Sequence, residues 1–256
     1  MGTGTGPGDV LQLIRRGQAS TRTEVAELTG LSRVTVAQRV DALLAAGLVR
    51  ASGAGASTGG RRPAVLRFNA DLGVVLAASV DTTHARVAAL DLAAGVLGEH
   101  VVAVDVLDGP ERVLTALEDA MTKVLADAGR DAAHVEGVGV SLPAPVDPAT
   151  GRPSQPPIMP GWDGYPVADH VRRGFDVPVV VENDANAMAA GEHAALHPDC
   201  AAFCLVKVST GIGAGMVLGG RLFAGVDGGA GDIGHVRLPG VEAQCQCGSR
   251  GCLAAV

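Results

Sequence analysis

Four residues near the end of the chain have the types and spacing of a metal site. His235, Cys245, Cys247 and Cys252 supply one imidazole and three thiolates, and glycines between the last two cysteines allow tight turns. Ligands of these types complete the tetrahedral shell that Zn²⁺ prefers and leave no position for a reacting water. The pattern therefore predicts a structural zinc ion. The alternative is three reduced thiols beside an unrelated surface histidine.

Polar side chains also stand where predicted strands end. Asp81, Ser141 and Asp184 come at or just after the ends of apolar runs, and functional groups of layered α/β domains collect at strand ends. A carboxylate such as that of Asp184 has the chemistry to accept a proton from a hydroxyl that attacks a phosphate. We therefore take Asp184 as the candidate catalytic base.

The chain is basic at its start and acidic elsewhere. Of the net charge of −7, residues 1–70 carry +5, from nine arginines and four acids, which leaves −12 on the remainder. This asymmetry is expected when one domain contacts a polyanion. A random distribution of surface charge is the alternative.

Helix signals in the basic segment indicate a helix-turn-helix. A capping box begins at Thr21, Gly30 suits a tight turn, and Ser32 caps a helix that is expected to end at Gly47. The apolar spacing of that last helix leaves four polar side chains for base edges or phosphates in a major groove. These candidate DNA contacts are Arg33, Thr35, Gln38 and Arg39.

Two short apolar runs, 48–50 and 65–68, predict a pair of strands after this helix. The Gly- and Ser-rich loop between them carries Arg61 and Arg62. Paired guanidiniums on such a loop suit a wing that contacts the DNA backbone or the minor groove. The alternative is a linker with two solvated arginines.

Strand and helix patterns alternate in the rest of the chain, which indicates an α/β layered domain. Strands are predicted at 72–80, 85–90, 96–106, 135–142 and 177–181, helices at 111–128 and 187–196, and a new sheet from residue 203. Cys200 and Cys204 are expected to lie in the core of this α/β domain as reduced thiols. Neither a membrane span nor a signal peptide is predicted, and we expect a cytoplasmic protein that does not contact membranes.

Eight short motifs follow one another along the chain: LSRVTV at 31–36, GGRRP at 59–63, LPAPVD at 142–147, GWDG at 161–164, ENDAN at 182–186, TGIGAG at 210–215, GGAGDIGH at 228–235 and CQCGSRGC at 245–252. In this order they resemble one family, the ROK family of repressors, open reading frames and sugar kinases. The resemblance runs from about Val10 to the last residue.

The resemblance implies an actin-like, sugar-kinase-like (ribonuclease H-like) ATPase fold behind the winged helix-turn-helix. It also implies that the loop with His235 holds zinc and that this histidine touches a sugar. In the family's kinases the Asp matching Asp184 is the base and the Asn matching Asn183 binds the sugar. Asp232 stands where a sugar-binding Glu is usual.

Several positions depart from the family's kinases. Ala254 replaces a second sugar-binding Glu, and Ala144 replaces a Gly. The first phosphate loop reads Asp-Thr-Thr-His at 81–84 and lacks the glycines that let backbone approach phosphates, although the second, 210–215, is intact. The chain also stops four residues after Cys252, before the adenine-binding part. We therefore expect a fragment or truncated product, a vestigial Asp184 and no ATP binding.

These observations predict a winged helix-turn-helix at 1–70, a first sugar-kinase-like lobe at 71–198 and a partial second lobe with the zinc loop at 199–256. The expected function is a sugar-responsive DNA-binding transcriptional regulator, a repressor. Its partners would be operator DNA and a small sugar or sugar phosphate, with homodimerisation when the domain is complete. Two alternatives stay open: an ATP-dependent kinase of hexoses or N-acetylhexosamines, and a non-functional truncated remnant.

Overall fold

The computed structural model describes residues 6–54 and 64–256, which fall into two compact units. The first unit runs to Val74 and includes the Asp91–Gly95 turn, and the second comprises Val75–Leu90 and Val96–Val256. Among the helices of these residues, none is both long and apolar enough to cross a membrane.

Three helices and a β-hairpin build the first unit. They are α1 (Pro7–Arg15), α2 (Arg22–Thr29), α3 (Arg33–Ala45), β1 (Val49–Ala54) and β2 (Ala64–Phe68). The two strands are antiparallel and pair Val49 with Phe68. The structure thus has the helix, turn, helix and two strands that the sequence predicts.

Local hydrogen bonds explain where α2 and α3 begin. Thr21 Oγ1 accepts a hydrogen bond from the Glu24 N–H at 3.2 Å, and Ser32 Oγ accepts one from the Thr35 N–H at 3.2 Å. Gly30 ends α2 with a φ of +69°, a conformation that favours glycine. The helices and the hairpin enclose a core made chiefly of Val10, Ile14, Val25, Val36, Val40, Leu43, Val49 and Leu66.

A five-stranded sheet forms the centre of the second unit. In sheet order its strands are β5 (Val96–Ala103), β4 (His84–Asp91), β3 (Val74–Val80), β6 (Val135–Leu142) and β9 (Val179–Asn183). β6 and β9 are parallel, so that Leu142 and Asn183 are paired at the same edge. Helix α4 (Pro110–Asp127) packs against β5. Between β6 and β9 the chain forms the short pair β7 (Val146–Asp147) and β8 (Arg152–Pro153) and the helix α5 (Val167–Val171).

A second, three-stranded sheet follows the helix α6 (Asp184–Leu196). Its strands β10 (Ala202–Val208), β11 (Ile212–Leu218) and β12 (Arg221–Leu222) are antiparallel neighbours in that order. Helix α6 packs on β10 and β11. Two 3-10 turns, Ile233–His235 and Leu253–Ala255, lie close together near the end of the chain.

Several sequence-based expectations are wrong in detail. Helix α6 begins at Asp184 rather than at residue 187, because the Asn183 side chain caps it. β5 ends at Ala103 rather than at residue 106, since Asp105 caps a 3-10 turn there. Cys200 and Cys204 are exposed and not in the core, because Cys200 precedes β10 and Cys204 lies among the exposed alternate residues of β10.

Candidate functional site

A cavity of about 340 Å³ opens in the second unit, where strand ends meet the segments that carry the predicted metal ligands His235, Cys245 and Cys247. The residues predicted to bind sugar, Asn183, Asp184, Asp232 and His235, all line it. So do Asp81, Thr82, residues 143–145, Lys207, residues 210–213, Gln244, Cys245 and Cys247, and Ala254. Tertiary folding therefore gathers in one place side chains that are far apart in the sequence.

Asn183 and Asp184 are both held by hydrogen bonds inside the protein. Asn183 Oδ1 accepts the Asn186 N–H at 3.1 Å and its Nδ2 donates to the Ala144 carbonyl at 3.1 Å. Asp184 Oδ1 accepts the Ala185 N–H at 2.6 Å, and its Oδ2 accepts a hydrogen bond from the Lys207 ammonium at 2.6 Å. The candidate base is therefore one half of an ion pair.

Asp81 lies just beyond β3, at the phosphate loop that lacks glycines. Burial favours its protonated form, but the Thr82 N–H at 2.6 Å and the Lys207 charge outweigh burial and hold the pKa of Asp81 below its usual value. Two residues, Thr82 and Thr83, turn the chain directly into β4, and the Asp81 N–H donates to the His84 carbonyl at 2.8 Å. This turn contains no glycine that would leave backbone open to a phosphate.

The second glycine-rich segment is mostly strand rather than loop. Ile212 begins β11, so that Gly213 and Gly215 lie in a strand that α6 covers. A Cβ on Gly215 would lie 2.3 Å from the Ala185 carbonyl oxygen, whereas a Cβ on Gly211 would have no described atom within 4 Å. Close packing of a helix on a strand thus accounts for Gly215 without a nucleotide.

The four predicted metal ligands come together at one edge of the cavity. The ligand atoms of His235, Cys245, Cys247 and Cys252 all lie within 4.8 Å of one another. Cys247 Sγ is 3.8 Å from Cys252 Sγ, and Cys245 Sγ is 3.7 Å from His235 Nδ1. Tetrahedral coordination with Zn–S of about 2.3 Å and Zn–N of about 2.0 Å requires about 3.8 Å between two sulfur ligands and about 3.5 Å between a sulfur and a nitrogen ligand. The cluster therefore fits a tetrahedral metal ion.

The thiols of this cluster are in unequal environments. Hydrogen bonds lower the pKa of Cys247 to about 6, and the largest effect comes from the bond that the Ser249 N–H donates. Burial, together with the neighbouring thiols, raises the pKa of Cys252 to about 11. A bound divalent cation would stabilise all three thiolates.

The exposed face of α3 differs from the predicted DNA contacts. Arg33 and Gln38 are exposed as expected, but Thr35 and Arg39 are half-buried. Thr35 Oγ1 lies 2.9 Å from Ser32 Oγ in the helix cap, and Arg39 Nη1 is buried with no hydrogen-bond partner among the residues that the structure describes. Val34 was not among the predicted DNA contacts, but it is 68% exposed and lies one turn before Gln38. The predicted wing residues Arg61 and Arg62 fall outside the described residues.

Profiles of known families match both units. The ROK family profile matches residues 76–256 and a winged helix-turn-helix DNA-binding profile matches residues 8–50. The chain belongs to the ROK family. The predicted fold class, a winged helix followed by a mixed α/β sugar-kinase-like domain, is confirmed.

Individual relatives include regulators and kinases. A xylose repressor of Caldicellulosiruptor bescii is 29% identical over 245 residues, which cover 95% of this chain and 61% of that protein. A solved structure of a ROK family transcriptional regulator, a homologue of the Escherichia coli MLC protein, has a TM-score of 0.78 at 23% identity and covers 97% of this chain and 63% of that one.

A solved ROK hexokinase from Thermus thermophilus is 35% identical with a TM-score of 0.59, over 71% of this chain and 59% of that one. The chain thus spans less than two thirds of the length of each of these relatives.

Proposed function

We propose that this protein is a sugar-responsive DNA-binding transcriptional regulator, and that it represses. In this proposal the first unit, up to about residue 70, binds operator DNA and the cavity of the second unit binds a small sugar or sugar phosphate. The observation that carries the proposal is the combination of a helix-turn-helix that has an exposed α3 face with a cavity lined by Asn183, Asp184 and His235. The repressor named above, which aligns with 95% of this chain, supports it.

Electrostatics support the assignment of DNA to the first unit. Arg33 and Gln38 project from α3 into solvent, and residues of this kind near the start of a recognition helix contact base edges and phosphates in a major groove. The charge of +5 on residues 1–70 would add a salt-dependent attraction to DNA.

A sugar kinase is the second candidate, and Asp184 in the cavity favours it. Against it stand the turn at 81–84, which has no glycine to receive phosphates, and Ala254 in the cavity wall. Phosphoryl transfer depends more on positioning and neutralising the nucleotide than on a base, which contributes about 10²–10⁴-fold. We therefore propose that Asp184 binds sugar and that the chain does not transfer phosphate.

The test of the regulator proposal begins by selecting binding sites from random duplexes with the full chain. Fluorescence anisotropy then measures affinity at fixed salt with D-xylose, D-glucose, N-acetyl-D-glucosamine and its 6-phosphate. We expect at least one of them to change the Kd about fivefold or more, and Asp184→Asn to lose that response. Sequence-independent binding, or no response to any sugar, would contradict the proposal.

An enzyme assay separates the two candidates. The kinase candidate predicts ATP consumption with the same sugars at about 1 s⁻¹ or faster, abolished in Asp184→Asn. We expect no sugar-dependent turnover from the natural chain.

We further propose that His235, Cys245, Cys247 and Cys252 hold one structural Zn²⁺. Elemental analysis should find one zinc per chain. Cys247→Ser should weaken zinc binding by more than the 10–100-fold typical of losing an outer-shell partner. Cys204→Ser, an exposed thiol outside the cluster, is the matched control. Zinc content unaffected by Cys247→Ser would contradict the assignment, and occupancy should fall at acid pH as the thiolates become protonated.

A further inference from the structure

Lys207 is the basic side chain that faces the acids of the cavity. It is one of two lysines in the chain, the other being Lys123. Its neighbours along β10 alternate between exposed and half-buried, and Lys207 is on the half-buried side, opposite Gly213 of β11. A Cβ on Gly213 would lie 3.5 Å from Ala185 Cβ, so this part of the sheet lies directly against the first turn of α6, which carries Asp184.

The ion pair of Lys207 with Asp184 is largely shielded from water. The Lys207 side chain is 20% exposed and the Asp184 side chain 13%, with 2.6 Å between Nζ and Oδ2. Because the Ala185 N–H holds the other carboxylate oxygen, the plane of the carboxylate is fixed at two points. Among the described residues, the other titratable side chains that line the cavity are Asp81, Asp232, His235, Cys245 and Cys247.

We propose that Lys207 is a positioning residue for sugar binding: its ammonium holds the Asp184 carboxylate in the orientation in which it accepts a hydrogen bond from a sugar hydroxyl. This inference rests on the function proposed above. Each carboxylate oxygen has two lone pairs, so that Asp184 can accept a sugar hydroxyl while it stays paired. Full transfer of the hydroxyl proton to Asp184 would instead leave the shielded ammonium without its counter-charge. The pair therefore favours binding of the hydroxyl over its activation.

The principal test is the sugar affinity at fixed pH, measured calorimetrically with the sugar that the screen identifies among the four named probes. The variants are Lys207→Met, which removes the charge, and Lys207→Arg, which keeps it and tests rescue of the ion pair. Lys123→Met is the matched control, because Lys123 forms an exposed pair with Asp127 on α4. The other cavity groups are common to all four proteins, so the comparison isolates Lys207.

We expect Lys207→Met to bind sugar about tenfold more weakly than the natural chain, because the Asp184 carboxylate loses the partner that fixes its Oδ2. Lys207→Arg, which can form the same ion pair, should restore the natural affinity, and Lys123→Met should keep it. An unchanged affinity of Lys207→Met would overturn the inference while leaving the regulator proposal intact.

A second measurement needs no sugar. Biosynthetic labelling with ¹³Cε-lysine gives two lysine side-chain signals, which Lys207→Met and Lys123→Met assign. Asp184→Asn should move the Lys207 signal and leave the Lys123 signal in place; an unmoved Lys207 signal would overturn the inference. Absence of sugar binding in the natural chain would instead overturn the proposed function, and this inference with it.

Discussion

At the scale of single residues, the acids of the second unit differ in how well the protein satisfies them. Asp184 has partners at both carboxylate oxygens, as described above. Glu118 on α4 is less well served, because its Oε1 is buried and accepts no hydrogen bond from the described residues. His170 Nε2 lies 3.7 Å from that oxygen, beyond hydrogen-bonding distance. Burial raises the pKa of Glu118 in spite of the opposing charges of His170 and Arg173.

This environment predicts how stability depends on pH. Since the pKa of Glu118 is higher in the folded chain than in the unfolded one, the free energy of unfolding falls as pH rises from the ordinary carboxyl value through the folded value. Glu118→Gln removes that fall and should raise the free energy of unfolding at pH 8 by about 1 kcal/mol.

Urea unfolding followed by the fluorescence of the buried Trp162, the single tryptophan of the chain, measures this change. Glu136→Gln at an exposed position is the control and should keep the natural pH dependence. If Glu118→Gln shows the same pH dependence as the control, the role given to Glu118 is wrong.

At the scale of elements, the contact between α6 and β11 depends on a missing side chain. An alanine at 215 would place its Cβ 2.3 Å from the Ala185 carbonyl oxygen and 2.6 Å from Ala189 Cβ. Gly215→Ala should therefore lower the free energy of unfolding by about 1–3 kcal/mol, the usual range for overpacking.

Gly211→Ala is the matched control in the same glycine-rich segment, because a Cβ there meets nothing within 4 Å. Urea midpoints read from Trp162 fluorescence compare the two variants. Equal stability of the two would show that α6 moves away from β11 at little cost.

On α3, the exposed apolar side chain of Val34 predicts a DNA contact that is not among those predicted from the sequence. An apolar group at the start of a recognition helix suits the methyl group of thymine. Val34→Ala should weaken operator binding about three- to tenfold, in line with about 0.8 kcal/mol for each buried methylene-sized group. It should not change stability, because Val34 is 68% exposed.

Deoxyuridine in place of each operator thymine, one at a time, tests this contact by anisotropy. At the contacted thymine, loss of the methyl group should weaken DNA binding by the natural chain and leave DNA binding by Val34→Ala unchanged. Equal losses for both proteins at every thymine would refute the contact.

At the scale of the whole molecule, charge is divided along the chain between a basic beginning and an acidic remainder. The predicted wing residues Arg61 and Arg62 belong to the basic part. Replacing both with alanine should weaken binding to many DNA sequences and flatten the dependence of log K on log salt concentration by up to about 2 units. The matched control replaces Arg112 and Arg221 of the second unit with alanine. It changes the net charge by the same amount and should leave the salt dependence of log K unchanged.

Short-range signals determined a large part of this protein. The caps at Thr21 and Ser32, the turn at Gly30 and the period-two and helical apolar patterns predicted most elements to within a few residues. The spacing of His235 and the three cysteines predicted a cluster whose ligand atoms do lie together. These signals succeed because helix caps, turns and the spacing of the predicted metal ligands depend on residues that are close along the chain.

The tertiary structure alone decided which side chains meet over long distances. The pairing of Lys207 with Asp184, which are 23 positions apart, depends on how α6 lies across β10. The same packing gives Gly215 its structural role, and the packing around α3 partly buries Arg39 while leaving Val34 exposed. Periodicity assigns a residue to a face of its own element. What that face meets is set by packing between elements, which no local pattern encodes.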